Sequence, residues 1–314
     1  MGLAVPSNKE SGKRMIRFFL IGEFMSQPSK LLVIGGFSAG KTHFGAQLLS
    51  RLQSRTCAFC LREASPNLVL LEEALAKLSE GMTSAHTSRD LYGTIVLPVT
   101  DQAGNAVDLI WPEFGGEQVD DFVMRRRVSP EWISRVRESD SWVLMLRLMK
   151  LRTDEDLISK PLDKLLEKSK NPAPEDTGPA KASNLEWSAQ ARSIEMMQML
   201  LYYKEVSLYA RVTLPRLTVL LSCWDELGKP DKTVPANVLE EYLPLFKKFL
   251  EANWTTDSLS IYGLSALSKP LKSDVPDEEF RKLGPEKFGY IILPTGDKDR
   301  DLTLPIRKVF GLEA

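Results

Sequence analysis

Hydrophobic residues along the chain gather in short unbroken runs, separated by segments whose apolar positions recur at helical spacing. Leu31-Leu32-Val33-Ile34 is the first such run, closed by Gly35 and Gly36. A run that is apolar at every position predicts a strand buried on both faces, as in a parallel sheet. Phe44, Leu48, Leu49 and Leu52 then predict a helix, and a second helix is predicted over 68–78, stopping near Gly81. Strands follow at 94–99 and 107–111, joined by the turn Asp101-Gln102-Ala103-Gly104-Asn105. So short a connection makes these two strands antiparallel.

The segment 116–140 is charged and reads as mostly helical, and an apolar strand returns at 142–148. A helix near 154–167 is followed by a Pro-, Lys-, Ala- and acid-rich stretch, 169–184, that reads as a flexible linker. Beyond it come a Met- and Leu-rich helix (188–207), a buried strand (217–221), a helix (238–252) and a strand (259–264). A short strand at 290–293 and a helical stretch near Ile306 end the pattern. Strands alternating with helices predict an α/β fold. The expected sheet is mostly parallel with one antiparallel strand and has helices on both faces. Because motifs continue on both sides of 149–207, that stretch reads as a helical insertion in a single domain covering 29–314. Residues 1–28 read as a flexible leader or arm. Their first 24 positions show no clear periodicity, and the alternative is a natural start at Met25. An endogenous peptide from upstream of Met25 excludes that alternative.

Composition narrows the class. Hydrophobic residues at 43% and charged residues at 26% are globular proportions. The net charge of -1 offers no basic excess for nucleic acid. Three cysteines, Cys57, Cys60 and Cys223, argue against a disulfide framework and for a reducing compartment, so a cytoplasmic location is expected. No apolar run is long enough for a membrane helix. Cys57-x-x-Cys60 lacks the second pair that a zinc site needs. The methionines Met196, Met197 and Met199 read as core packing.

The strongest chemical pattern is Gly35-Gly36-Phe37-Ser38-Ala39-Gly40-Lys41-Thr42, a full G-x-x-x-x-G-K-[ST] between a buried strand and an amphipathic helix. Its glycines let successive N–H groups face phosphate oxygens, and the helix start adds a positive dipole end. Lys41 is expected on the β- and γ-phosphates and Thr42 on magnesium. Next, a strand ends in Glu113, with Gly116 three residues later. GTPases place D-x-x-G there: the acid holds magnesium through water and the glycine N–H bonds the γ-phosphate. Here the acid is Glu113, one methylene longer than Asp. Glu117 stands where a water-orienting glutamine is usual, with Gln118 adjacent. Arg125-Arg126-Arg127 read as a solvated helix face, with a charge-stabilising arginine as the alternative. In the loop 83–89, Thr87 is the candidate magnesium ligand and γ-phosphate sensor, and Thr83 is the second choice.

Ser222-Cys223-Trp224-Asp225 follows an apolar strand where GTPases carry N-K-x-D. A carboxylate at Asp225 can accept from guanine N1–H and the 2-amino group, a donor pair adenine lacks. The competing reading makes Asp225 a helix N-cap. Ser265 and Ala266, in Gly263-Leu264-Ser265-Ala266-Leu267, take the place of the S-A motif that closes over the base.

The strings LLVIGGFSAGKTHFGAQLL, AHT, VDLIWPEFGGEQ, LLSCWDELG, EANW, GLSALSKPL, FGYIILPTG and DLTLPI resemble, in order, the bacterial double-GTPase family of the TRAFAC clade. The resemblance implies a Ras-like P-loop NTPase fold and a place in bacterial defence systems against invading elements such as phage. It implies a GTP/GDP and Mg2+ site in which Gly35 to Thr42 hold the phosphates and Thr42, Thr87 and Glu113 the metal. Lys41, Thr87, Gly116 and Glu117 are then the catalytic set. Ser222 and Asp225 face guanine, and Ser265 and Ala266 close over it. One motif set in this chain implies that a second GTPase, or an effector of the same system, is a separate partner. Three functions are expected in competition: a slow GTP hydrolase acting as a switch, a GTP-binding module without turnover, and a P-loop ATPase.

Overall fold

The structure is a computed structural model that describes residues 28–36, 38–65, 67–83, 93–113, 123, 125–151, 188–207 and 209–312, with backbone alone at 111–113. Its first strand, β1 (Ser29–Gly35), is fully buried from Leu31 onward. The side chains of Leu31 and Val33 face one core and those of Leu32 and Ile34 the other. That division follows from the two-residue period of a strand covered on both faces.

β1 leads through the glycine loop into α1 (Lys41–Ser54), and then to β2 (Phe59–Leu61) and α2 (Val69–Ser79). The hairpin β3 (Gly93–Asp101) and β4 (Ala106–Glu113) pairs antiparallel, as its short turn requires. The Asp101 carboxylate builds that turn by accepting from the N–H groups of Ala103 and Asn105 at 2.9 and 2.8 Å. Within the charged segment lies α3 (Pro130–Glu138), and β5 (Ser141–Leu146) follows. α4 (Ala189–Tyr203) connects on to β6 (Arg216–Ser222), a parallel neighbour of β5, and so lies within the crossover between them. Its Met196, Met197 and Leu200 are buried in the core, in agreement with a packing role.

The helix expected over 238–252 is two helices, α5 (Pro235–Tyr242) and α6 (Pro244–Asn253). Pro244 disfavours the helical conformation at the residue before it, and Leu243 accordingly sits at φ -138°, ψ 61°. β7 (Leu259–Ser265), α7 (Glu278–Leu283), β8 (Tyr290–Ile292), β9 (Lys298–Asp299) and α8 (Leu304–Phe310) complete the chain.

All strands join one sheet in the order β2-β3-β4-β1-β5-β6-β7-β8-β9. The five from β4 to β7 run parallel. β3 is the expected reversed strand, and β8, antiparallel to β7 and flanked by the edge strand β9, adds a second toward the opposite side. One face carries α3, α4, α5 and α6 over Trp132, Trp142, Met197, Phe246 and Trp254. The other carries α1, α2 and α8 over Phe44, Leu48, Leu71, Ile306 and Val309. β1 has β4 on one side and β5 on the other, so the chain leaves it in two directions. In such sheets the crevice beyond the carboxyl ends of the strands, at this reversal, is where ligands bind.

Candidate functional site

The pairing register brings the expected site to that one end of the sheet. Gly35 ends β1 opposite Met145 of β5, Leu146 lies opposite Leu221 of β6, and Ser222 lies opposite Leu264 of β7. β4 pairs with β1 from Ser29↔Val107 to Leu32↔Ile110. Continuing that register sets the backbone of Glu113 level with Gly35. Gly35, the backbone of Glu113, Ser222 and Ser265 thus sit on neighbouring strand tips.

The phosphate loop has the backbone its motif demands. Gly40 takes φ 81° directly before α1, a left-handed conformation that a Cβ would strain. A Cβ on Gly35 would stand 3.0 Å from the carbonyl oxygen of Met145, so the loop leaves the sheet against backbone. A Cβ on Gly36 would meet nothing within 4 Å, which leaves that side of the loop open. Ser38, although not glycine, also adopts positive φ, at 56°. α1 begins with no side-chain cap, unlike α3 and α4, which Ser129 and Ser188 cap. Lys41 folds back over the loop, its Nζ donating to the carbonyl oxygens of Gly35 and Gly36 at 2.7 and 2.9 Å. Lysine is thereby poised above the concavity, where phosphate oxygens can replace the two carbonyls as acceptors.

His43, on the first turn of α1, has its Nε2 enclosed without a hydrogen-bond partner among the described residues. Burial, helped by the positive charge of Arg147, lowers its pKa to about 4, so the ring is neutral near pH 7.

The base end is assembled from three strand tips. After β6, Cys223 turns the chain at φ 53° into a short 3-10 turn, Trp224–Leu227. Asp225 lies inside that turn and not at its cap, so the N-cap alternative fails. Its Oδ1 accepts from the Ser265 hydroxyl of β7 at 2.5 Å, and Ser265 Oγ in turn accepts from Ser268 N–H at 2.9 Å. Trp224 lies flat against β7 at Gly263, where a Cβ would stand 2.4 Å from the indole Cε3. Glycine at 263 is what admits this ring. The Ser222 hydroxyl is buried without a hydrogen-bond partner among the described residues. Burial pushes the Cys223 thiol up to about 12, so it stays protonated.

Sequence reasoning did not single out three groups here. Tyr290 of β8 shares a hydrogen bond with Ser265, and its pKa is raised by burial and then by the Asp225 charge. Lys298 of β9 stands 3.8 Å over the centre of the Tyr290 ring. Arg147, just past β5, donates from Nε to Glu226 Oε2 at 2.9 Å and from Nη2 to Glu226 Oε1. Its Nη1 donates to the carbonyl oxygen of Ser38 at 3.3 Å. The position of Arg147 at the tip of an apolar strand was its one visible signal.

Several expected positions fall outside the described residues: Phe37, His86, Thr87, Gly116, Glu117 and Gln118, the leader, the helix at 154–167 and the linker. Thr83 is described, and its N–H donates to the carbonyl of Lys272 at 3.0 Å. Arg126 pairs with Glu195 at 2.9 Å, and Arg125, Arg126 and Arg127 are exposed. Cys57 and Cys60 are free thiols. Among the described residues, no group of three or more His, Cys, Asp or Glu can hold a metal ion. Nor is any described helix long and apolar enough to cross a membrane.

A parallel sheet with a complete phosphate loop at its point of reversal defines a P-loop nucleotide-binding protein of Ras-like topology. The chain belongs to the Double-GTPase 1 family, whose model matches residues 32–309. No curated protein matches it. Among solved structures it is similar to a signal recognition particle receptor SRb-GTP/SRX complex from Chaetomium thermophilum. The sequences are 12% identical and the TM-score is 0.35, over 82% of this chain and 98% of the other.

Proposed function

We propose that the chain binds GTP with magnesium at the carboxyl end of its sheet and hydrolyses it slowly, as a switch that acts on a partner protein. One observation carries the reading. A carboxylate at Asp225, fixed by Ser265, stands on the strand tips beside a complete phosphate loop. A carboxylate held by one hydroxyl keeps acceptor capacity for the N1–H and 2-amino donors of guanine. Family membership and the fold support the guanine reading further.

In this reading Gly35 to Thr42 hold the phosphates, Lys41 draws charge from the β- and γ-phosphates, and Ser222 and Ala266 line the base. Thr42, Thr87 and Glu113 would hold Mg2+, which when bound neutralises charge on the phosphate oxygens. Thr42 suits that place chemically: a hydroxyl on the first turn of α1, directly after the phosphate-binding lysine. Thr87 and Gly116 would sense the γ-phosphate, and Glu117 would orient water. The resemblance to bacterial double GTPases supports a cytoplasmic setting in a multi-gene defence system, with a second GTPase or effector as partner. The leader at 1–28 belongs to this proposal as an arm of a single domain, and of the insertion at 149–207 the helix α4 serves as a cover on the sheet, its Met197, Leu200 and Leu201 being buried in the core.

The test is titration with fluorescent GTP, GDP and ATP analogues, with and without magnesium. Guanine preference of about tenfold or more, roughly 1.4 kcal/mol, is expected. Equal or tighter ATP binding would leave a phosphate site without guanine recognition. Phosphate release no faster than that of Lys41→Ala, with partners present, rejects hydrolysis and leaves a binding module.

A further inference from the structure

The two halves of the candidate site lie on separate loops, and one side chain spans them. Arg147 extends from the tip of β5, between the phosphate loop that follows β1 and the base turn that follows β6. A guanidinium is a rigid planar fork. Here two of its nitrogens meet both oxygens of Glu226, leaving Nη1 for the carbonyl of Ser38 at 3.3 Å. Glu226 is the residue after Asp225 in the 3-10 turn, so whatever fixes Asp225 also fixes the backbone of Glu226. Ser38 holds positive φ without being glycine, and the bond to its carbonyl favours that loop conformation. The pair is well shielded, each side chain being 24% exposed. Cys223 packs at the same junction, its Sγ 3.9 Å from where a Cβ on Gly40 would stand. Among the described residues, the neighbouring Ser222 hydroxyl has no hydrogen-bond partner. Among the described residues, Arg147 is the side chain hydrogen-bonded to both loops.

We propose that Arg147 is a positioning residue that couples base recognition to the phosphate loop through Glu226. The inference rests on the guanine reading of Asp225. A correct base orders the turn, the turn orders Glu226, and the Arg147 fork carries that order to Ser38. Nucleotide affinity then exceeds what base and phosphate contribute separately.

The experiment is a cycle on the ligand: affinities of GDP, IDP, GMP and IMP, so that the 2-amino group and the β-phosphate are removed singly and together. For the wild type, the GDP/IDP preference is expected to exceed the GMP/IMP preference about tenfold. Arg147→Met and Glu226→Gln should each bring that ratio of ratios to about one. Arg147→Lys should do the same, since an ammonium keeps the charge and loses the fork. Loss of folded protein scales all four affinities equally and cancels from the ratio. A ratio that stays at the wild-type value in the variants overturns the role of Arg147. A wild-type ratio of one, with GDP still preferred to IDP, overturns the coupling and leaves guanine recognition standing. Equal wild-type binding of GDP and IDP overturns both.

Discussion

The phosphate end and the base end of the candidate site are built in opposite ways. The phosphate end is local: Gly35 to Thr42 are consecutive, and Lys41 bonds the carbonyls of its own loop. The base end is assembled: Asp225, Ser265 and Tyr290 come from the tips of β6, β7 and β8 and meet only because the sheet aligns them. A local site can be complete in a sequence and remain indifferent to the rest of the chain. An assembled site depends on register, so a substitution far from the ligand can damage it. The phosphate end should therefore respond to substitution without regard to the base, and the base end without regard to phosphate number, except through Arg147.

Lys41→Ala tests the first half of that contrast and should have the largest effect. Losing charged hydrogen bonds to phosphate should weaken GTP binding about 100-fold, or about 2.7 kcal/mol, and ATP binding by a similar factor. A loss confined to guanine nucleotides in competition titrations would break the division between the two ends. Asp225→Asn tests the second half. An amide can accept from only one side, so the preference for GTP over ATP should fall about 30-fold, or about 2 kcal/mol, with xanthosine triphosphate gaining. Calorimetry with inorganic pyrophosphate should find its binding unchanged. A matching loss there would mean that Asp225 supports the phosphate loop itself.

The same contrast explains what could be read in the sequence. Unbroken apolar runs revealed the parallel core strands, since burial on both faces leaves a strand no polar positions, a short turn revealed the hairpin, and a period of about 3.6 residues revealed the flanking helices, which bury one stripe. The three-residue β2 and two-residue β9 were too short to carry a period, and the split between α5 and α6 turned on Pro244 alone. The phosphate loop was legible in full, since its chemistry is consecutive. Asp225 and Ser265 were legible because each follows an apolar strand. Arg147, Glu226 and Tyr290 were not. Nothing in the spacing of residues 147 and 226 announces a salt bridge, which exists only because β5 and β6 pair in the observed register.

Gly263→Ala probes the assembled end without touching a ligand group. A Cβ at 263 would stand 2.4 Å from the Trp224 indole and 3.0 Å from Ile292 Cβ, so the ring must move and carry the Asp225 turn with it. Overpacking of this kind costs about 2 kcal/mol, read as a lowered urea midpoint with an unchanged slope. Guanine preference should fall in the folded protein while pyrophosphate affinity holds. Unchanged stability would mean that the indole has room the structure does not show.

His43 provides the smallest effect, and it lies on the local end. Its folded pKa of about 4 is below the ordinary histidine value of 6.5, with burial the main cause and Arg147 the second. The unfolded chain therefore binds a proton that the folded one refuses at pH values between about 4 and 6.5. By linkage, stability from the neutral ring is complete above pH 6.5 and is lost progressively as pH falls to about 4. A full shift of that size would be worth about 3 kcal/mol, but the ring is only half-buried, so about 1 to 2 kcal/mol is expected. His43→Gln should remove this component. Urea midpoints of the nucleotide-free protein at pH 7 and pH 4.5 should then differ less in the variant than in the wild type. An equal pH dependence in both would assign the acid sensitivity to another group. If the local end is as self-contained as its sequence suggests, adding Arg147→Met should raise the His43 pKa only slightly, because burial in α1 dominates the shift. A large rise would mean that the strand tip of β5 controls the phosphate loop electrostatically as well as through its hydrogen bond to Ser38.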